Sequence, residues 1–404
     1  MTPSDRARLP RNVWILAVVS FLNDVSSEMV GTLLPIFLSS VLGARTGVIG
    51  LVEGVAETTA SLVKVFSGWF SDRLGKRKAL AVLGYGLSTL AKPLLYFADS
   101  WSWVLGVRFA DRTGKGLRTA PRDALMADTV AVRQRGLAFG IQRAGDTAGA
   151  VAGIGIALLI LLGRGSTEGL DRPAFQTIVL WSVVPAVAAV LVLALGAREV
   201  HRKSPAESSA RLSLAGLGRP FRLYLAIVGI FTLGNSSDAF LILRARSVGL
   251  SVTGVLGMMI TFNLIYAALS SPAGALSDRV GRRRLLLAGW IAYALVYLGF
   301  GFVQAGWQAW LLMALYGGYY ALTEGVARAF VADLVAAPMR GSAYGVYHAV
   351  VGLVALPASL LTGILWQGIG DWPGFGPAAP FLLGSGLAAV AGMLLVRLPA
   401  TRSA

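Results

Sequence analysis

Twelve long apolar segments divide the chain, and they constrain its fold more than any other feature. They lie at about 13–41, 46–70, 79–98, 102–122, 136–163, 174–197, 222–243, 252–275, 285–304, 307–331, 341–366 and 375–397. An α-helix needs ~20 mostly apolar residues to cross the hydrocarbon core of a bilayer, and each segment is long enough. Inside lipid every backbone N–H and C=O must find a partner within the protein, which favours helices. We therefore predict an all-α integral membrane protein with twelve transmembrane helices.

The composition excludes several other classes of protein. Hydrophobic residues make up 55% of the chain and charged residues 14%, whereas soluble domains average ~25% charged residues. A soluble enzyme, a secreted disulfide scaffold and a nucleic-acid-binding protein are therefore excluded, despite a net charge of +16. The chain has no Cys and only two His, and no nucleotide-binding loop is visible. We expect no metal site, no cofactor and no enzymatic activity.

The distribution of Lys and Arg predicts the orientation in the membrane. Segments 6–11, 73–78, 133–135, 198–222, 279–284, 340 and 397–402 fall on one side and carry 22 of these residues. The loops on the other side carry five: Arg45, Arg164, Arg172, Arg244 and Arg246. Cytoplasmic loops are enriched in Lys and Arg, so we expect both termini in the cytoplasm and the chain in the cell (inner) membrane. The excess positive charge then meets anionic lipid on the cytoplasmic leaflet.

An internal duplication divides the chain into two halves. The sequence GWFSDRLGKRK at 68–78 recurs as GALSDRVGRRR at 274–284, and RGLAFG at 135–140 recurs as RGSAYG at 340–345. Ser26-Ser27-Glu28 is likewise mirrored by Ser236-Ser237-Asp238. Parallel six-helix halves are a known plan of transporters. We predict a first half at 1–197, a basic cytoplasmic linker at 198–221 and a second half at 222–404.

The paired loop sequences resemble the motif of the major facilitator superfamily, and the resemblance covers nearly the whole chain. The motif positions are Gly68, Asp72, Arg73, Gly75 and Arg77 in the first half, and Gly274, Asp278, Arg279, Gly281 and Arg283 in the second. The resemblance implies a monomeric alternating-access carrier of a small-molecule solute, with a central cavity between the halves. It also implies that Asp72 and Asp278 act across the interface of the halves in the outward-open state. We group Arg108 of the fourth segment with these gating motifs.

The fifth segment carries part of an antiporter motif of the same superfamily. Gly140, Gly149 and Gly153 have the spacing of G-x8-G-x3-G-P, but Ile154 stands where the motif has Pro. The resemblance therefore favours proton-coupled export. Two other functions stay open. One is a proton symporter that takes up an anionic metabolite, and the other is a membrane sensor or scaffold that transports nothing.

Ionisable residues inside the apolar segments are the candidate proton and substrate sites, because charge in the bilayer centre needs a partner or a wet cavity. Asp24 and Glu28 are four residues apart, so they share one helix face, and we take them as the best candidates. These charges form either a structural ion-pair network or a functional site. We interpret Tyr319, Tyr320 and Tyr347 as packing residues rather than as cavity lining. The candidates are Asp24, Glu28, Glu53, Glu57, Asp111, Arg112, Lys115, Arg143, Asp146, Asp238 and Glu324.

Overall fold

Twelve helical spans make up the fold of the computed structural model, which describes residues 9–131, 134–200, 217–336 and 339–398. Each span coincides with one predicted apolar segment, so the all-α, twelve-helix architecture is confirmed. We number the spans α1 to α12 in chain order. They are α1 (Arg11–Val41), α2 (Thr46–Leu74), α3 (Arg77–Phe97), α4 (Trp101–Thr129), α5 (Arg135–Arg164), α6 (Arg172–Gly196), α7 (Arg219–Ser247), α8 (Val252–Val280), α9 (Arg282–Phe302), α10 (Gly306–Asp333), α11 (Arg340–Gln367) and α12 (Ala379–Val396).

Three of these spans are more polar than the rest. Across the described ranges, nine spans are long and apolar enough by composition to cross a membrane, and α2, α4 and α10 are not among them. These three carry Glu53, Glu57, Arg108, Arg112 and Glu324, and all five side chains line one internal cavity. Because exposing such groups to lipid is costly, their position inside the bundle accounts for the low hydropathy of the three helices.

The duplicated sequence forms the same side-chain contact in each half. Arg77, at the start of α3, forms an ion pair with Asp128 at the end of α4. Arg282, 205 residues later in the sequence, lies at the start of α9, and its Nη1 is 2.5 Å from Oδ1 of Asp333 at the end of α10. Each of these ion pairs therefore links two helices within one half.

Glycines of α5 let this helix pack closely on α1. A Cβ atom at any of three glycines would collide with a backbone carbonyl oxygen of α1, so larger residues are excluded here. The glycines are Gly145, Gly149 and Gly153, and they face Ala17, Phe21 and Val25 respectively. These three glycines therefore allow close packing of α5 on α1.

The two halves meet along α2 and α11. We call the side on which α1 begins and α12 ends the terminus side, and the opposite side the far side. On the far side, Oγ1 of Thr46 donates to the carbonyl of Gly363 (2.8 Å), and Oγ1 of Thr58 donates to the carbonyl of Gly352 (2.6 Å). Gly50 and Gly54 lie against the backbone of α11 between these two points. The far-side half of α2 is therefore in continuous contact with α11, which closes the bundle on the far side.

On the terminus side α2 extends beyond its contacts with α11. Phe66, Trp69 and Phe70 are 65%, 52% and 44% exposed. Gly274 and Gly341, near the terminus-side ends of α8 and α11, have open space around them. The halves are thus separated on the terminus side, and the interior opens to that side.

Helix α7 is interrupted in its middle. The helix ends at Gly234 and resumes at Ala239, with Asn235, Ser236, Ser237 and Asp238 between the two parts. Non-helical backbone at membrane depth is tolerated where it lines a cavity. All four of these residues line the central cavity described below.

Candidate functional site

A cavity of about 540 Å³ lies between the two halves. Helices α1, α2 and α4 form its wall in the first half, and α7 to α11 form its wall in the second half. The first-half wall is charged, with Glu28, Glu53, Glu57, Arg108 and Arg112. All six Phe, Trp and Tyr side chains of the lining belong to the second-half wall, which also carries Asp238, Glu324, Arg328 and His348. The cavity therefore offers two different chemical surfaces to one solute.

Two acids of α2 are paired with arginines of α4. Oε2 of Glu53 lies 2.7 Å from Nη2 of Arg108, and both side chains are buried. Oε1 of Glu57 lies 3.7 Å from Nη2 of Arg112, and Oδ2 of Asp111 lies 4.0 Å from Nε of the same arginine. The pairs of Glu53 with Arg108 and of Glu57 with Arg112 agree with the interpretation of these charges as a structural ion-pair network.

The structure corrects the grouping of Arg108 with the gating motifs. Arg108 lies seven residues from the far-side start of α4, or about 10 Å along the helix. The loop motifs are at the opposite, terminus side. Arg108, Asp111, Arg112 and Lys115 form one charged stripe along α4. The predicted topology already placed the Arg108 end of this stripe on the side opposite the loop motifs.

Asp24 and Glu28 are not paired in this way. Asp24 accepts a hydrogen bond from Nδ2 of Asn23 (2.9 Å), and Glu28 accepts one from Oγ1 of Thr32 (3.4 Å). Within the described ranges, neither carboxylate has a Lys or Arg nitrogen within 4.0 Å. Both line a second cavity of about 430 Å³, and Glu28 also lines the central cavity. These two acids are therefore accessible and lack a close cation.

The second cavity lies within the first half and is rich in cations. Seven Lys and Arg side chains line it together with five acids. Lys115 and Asp111 were predicted from the sequence, whereas three of the cations were missed. They are Lys92, Arg118 and Arg122. The signal was present: Lys92 interrupts an apolar segment, and the other two continue the charged stripe of α4 by one helical turn each.

Several of these cations bind neutral partners. Nζ of Lys92 donates to Oγ of Ser26 (2.5 Å) and of Ser27 (3.1 Å) in α1. Arg118 donates to Oγ of Ser88 (2.7 Å), and its guanidinium lies 4.5 Å from the centre of the Tyr85 ring. Among the described residues, no carboxylate oxygen is within 4.0 Å of Lys92, Lys115 or Arg118. The second cavity therefore keeps uncompensated positive charge close to Asp24 and Glu28.

Arg143 connects the two halves. Its guanidinium contacts both Glu324 of α10 and the hydroxyl of Tyr266 of α8, and Glu324 also accepts from Arg328 (2.7 Å). Asp146, three residues away on α5, is the acid nearest to Arg143 along the sequence. The structure instead gives Arg143 a partner 181 residues away. A third cavity of about 370 Å³, lined by Arg143, Asp146 and Glu324, lies beside this contact.

Asp238 stands at the interruption of α7. Its Oδ1 accepts a hydrogen bond from the hydroxyl of Tyr316 (2.9 Å), and its Oδ2 accepts one from Tyr320 (3.4 Å). Tyr319, Tyr320 and Tyr347 line the central cavity. The sequence interpretation of these tyrosines as packing residues is therefore incomplete, because they form its wall.

The duplicated sequence also relates three charged residues of the second cavity to positions in the second half. With the 205-residue offset of the Arg77 and Arg282 ion pairs, Lys92 corresponds to Tyr297. In the same way Asp111 corresponds to Tyr316, and Lys115 to Tyr320. Charged residues of the first half are thus replaced by tyrosines at matching positions of the second half.

The loop motifs are separated in this structure. Gly75 ends α2 with φ +62°, and Gly281 follows α8 with φ +97°. Asp278 is 71% exposed, and Oδ1 lies 3.6 Å from Arg282 of its own half. Arg73 lies over the ring of Trp69 at 5.5 Å. The side chain of Asp72 lies outside the described part of the structure, so the roles of both acids across the interface stay predictions.

The remaining motif residues also make contacts within one half. Gly68 lies against Ala120 of α4, and Arg283 donates to the backbone carbonyl of Val396. Arg279 is exposed near the end of α8. In the described residues, no group of three or more His, Asp or Glu side chains is arranged to hold a metal ion.

Comparisons with known proteins agree with this architecture. The family model described as Major Facilitator Superfamily matches residues 16–243 and 223–404. An uncharacterized MFS-type transporter of Methanocaldococcus jannaschii is 38% identical over 394 residues, which are 96% of this chain and 95% of that protein. The class D tetracycline resistance protein of Salmonella ordonez is 26% identical over 322 residues, covering 74% of this chain and 75% of that protein.

A solved structure has the same fold. The crystal structure of a mutant of the nucleoside transporter NupG superposes with a TM-score of 0.79 and covers 96% of this chain and 100% of that one. The two sequences are 14% identical, so the likeness concerns the fold alone.

Proposed function

Since the chain belongs to the major facilitator superfamily, we propose that this transporter exports a small organic solute by alternating access and is driven by protons. The solute occupies the cavity between the halves, which two chemically different walls line. The moving bodies are residues 1–197 and 222–404, connected by the linker 198–221. Most of that linker, residues 201–216, lies outside the described residues.

The orientation follows from the Lys and Arg distribution. The terminus side carries most of these residues and is therefore the cytoplasmic side of the inner membrane. In that orientation the structure represents an inward-open state, because α2 and α11 are in contact on the far side. The carrier functions as a monomer, since one chain contains both walls of the cavity.

Asp24 and Glu28 carry the proton, and this assignment depends on one observation. They are cavity-lining carboxylates that have no Lys or Arg nitrogen within 4.0 Å among the described residues, whereas Glu53 and Glu57 have arginine partners. An acid that is not held by a cation gains or loses a proton more readily than a paired one. The two acids lie four residues apart on one helix face, so ionisation of one opposes ionisation of the other.

Export is favoured by the glycine face of α5 and by the relative that is named as a tetracycline resistance protein. A second candidate is uptake of an anionic solute together with protons. It is supported by Lys92, Lys115 and Arg118, which have no carboxylate within 4.0 Å among the described residues. The two candidates differ in the charge of the solute and in the direction of proton movement.

Proton movement in liposomes tests both candidates. The purified protein is reconstituted with pyranine inside the vesicles, a pH gradient is imposed, and a permanent ion is added. The probes are benzyltrimethylammonium as the cation and benzenesulfonate as the anion. We expect antiport for one of the probes. As that probe enters the vesicles, protons leave them and the internal pH rises. Movement of benzenesulfonate together with protons would instead establish the uptake candidate.

Two variants examine the proton site. Asp24→Asn and Glu28→Gln should abolish pH-driven flux and leave solute exchange between equal concentrations intact. Asp371→Asn, an exposed acid of the loop before α12, is the matched control. A double variant of Asp24 and Glu28 that still accumulates solute under a pH gradient would remove both residues from the mechanism.

A further inference from the structure

Glu28 and Asp238 occupy matching positions of the duplicated sequence, and both line the central cavity. Their surroundings differ. Glu28 also borders the second cavity, which seven Lys and Arg side chains line. Asp238 is surrounded by tyrosines instead. Matching acids in such different surroundings are suited to different tasks.

The carboxylate of Asp238 has unused acceptor capacity. Each carboxylate oxygen has about two acceptor positions, and each oxygen of Asp238 receives one hydrogen bond from a tyrosine. Within the described part of the chain, no Lys, Arg or His nitrogen lies within 4.0 Å of it. The interruption of α7 brings this acid to the cavity wall. Asp238 can therefore receive a positively charged group from the cavity.

Aromatic rings surround the same space. Phe231 stacks on Trp290 with ring centres 4.6 Å apart, and Tyr319 meets Tyr320 edge to face at 5.3 Å. All four line the central cavity. The faces of aromatic rings attract cations, and this attraction increases when the cation is desolvated. The rings also offer apolar surface to the uncharged part of a solute.

The arginines on the cavity wall do not compete for Asp238, since each lies within 4.0 Å of another acid. The pairs are Arg108 with Glu53, Arg112 with Glu57, and Arg328 with Glu324. An anionic solute at this wall would meet Asp238 without a compensating charge. A single carboxylate with two phenols also provides too few ligands for a hard metal cation.

We propose that the second-half wall, formed by Asp238 with Phe231, Trp290, Tyr319 and Tyr320, binds the charged nitrogen of an organic cation. This inference deepens the proposed function, and it assigns the solute class as a substituted ammonium ion with an apolar or aromatic body. The first-half acids then serve the proton, and the second-half acid serves the solute. Each half of the duplicated chain thereby contributes a different part of the transport cycle.

Equilibrium binding to the purified full-length protein tests the proposal without a pH gradient. Isothermal titration compares three benzene derivatives that differ in charge: benzyltrimethylammonium, benzyl alcohol and benzenesulfonate. The wild type should bind the cation at least tenfold more tightly than the other two. Asp238→Asn should remove this preference and leave the affinity for benzyl alcohol within threefold. Asp371→Asn, which lies outside the cavity, should retain the preference.

The outcomes separate this proposal from that of proton coupling. If the Asp238→Asn variant does not fold, the wild type alone tests the proposal, through its relative affinities for benzyltrimethylammonium, benzyl alcohol and benzenesulfonate. A wild type that binds benzyl alcohol or benzenesulfonate as tightly as the cation overturns the assignment of the solute class, even where proton-coupled transport of another solute is established. Conversely, a cation preference that depends on Asp238 supports this inference even if Asp24 and Glu28 prove irrelevant to coupling.

Discussion

Nη2 of Arg108 lies 2.7 Å from Oε2 of Glu53, and both side chains are more than 90% buried. The pair connects α4 to α2 near the far side, where α2 also contacts α11. Nε of Arg108 has no hydrogen-bond partner among the described residues. The guanidinium therefore depends strongly on Glu53.

Removing one member of this pair should cost far more stability than removing both. Glu53→Gln leaves a buried guanidinium without its countercharge, and breaking a buried pair in this way costs about 3–5 kcal/mol. Glu53→Gln combined with Arg108→Met removes both charges, so much of the loss should be recovered. Thermal unfolding of the purified variants measures the difference. If the stability lost in the double variant equals the sum of the losses in the two single variants, the ion pair makes no net contribution to stability.

The contact between Arg143 and Glu324 should tolerate exchange of the two charges. It is the ion pair that joins α5 to α10 across the halves, and both side chains are partly exposed to the cavities. Arg143→Glu or Glu324→Arg alone places like charges together, so we expect each to reduce proton-driven flux at least tenfold. The combined exchange should restore a substantial part of the flux.

Tyr266→Phe is the matched control for this exchange, because it removes a neutral hydrogen-bond partner of Arg143 and keeps both charges. It should reduce the flux less than either charge reversal. If the exchanged pair is no more active than the single variants, the two residues act separately rather than as a pair.

Hydropathy and the duplication could predict the twelve helices because both are properties of local sequence. Each segment carries its own apolar length, and the loop motifs recur with a nearly constant offset. The pairing of Glu57 with Arg112 could also be predicted, because both residues belong to charged faces of neighbouring helices. What the sequence could not supply is the rotation of one helix against another.

The partner of Arg143 depends on that rotation, whereas other features were missed for different reasons. Arg143 could reach Asp146 on its own helix, but α5 faces α10 and the arginine binds Glu324 instead. Lys92 was overlooked because it is a single charge in an apolar segment, and its serine partners are 65 and 66 residues away in α1. The tyrosines looked like packing residues because phenol rings suit both a core and a cavity wall. The 205-residue offset would have shown that Tyr320 stands at the position of Lys115.

The orientation can be checked with cysteines, because the chain contains none. Ala131, in the loop before α5, and Glu168, in the loop before α6, are both exposed and lie on opposite sides of the bundle. We expect a cysteine at position 131 to react with a membrane-impermeant maleimide only from the cytoplasmic side, and one at 168 only from outside. The cysteine-free parent is the control in intact cells and inverted vesicles. Labelling with the opposite sidedness would reverse the assigned orientation and make this structure outward-open.

The last prediction concerns Asp72, the acid of the first loop motif. Helix α11 begins at Arg340 on the terminus side, and a helix start presents free N–H groups and the positive end of the helix dipole. When the terminus side closes, Asp72 can cap this helix start and Asp278 can cap the start of α5 at Arg135. Such contacts are worth on the order of 0.3–2 kcal/mol each, which shifts a balanced equilibrium by up to about thirtyfold without locking it. Asp72→Asn should therefore shift the carrier towards the inward-open state. Asp278→Asn should do so less, because Asp278 already lies 3.6 Å from Arg282 in this structure and would give up that contact on closure. The measurement is the cross-linking yield between cysteines at Leu74 of α2 and Gly341 of α11, which should fall in the Asp72 variant. An unchanged yield together with lost transport would mean that Asp72 acts on folding or on the solute rather than on closure.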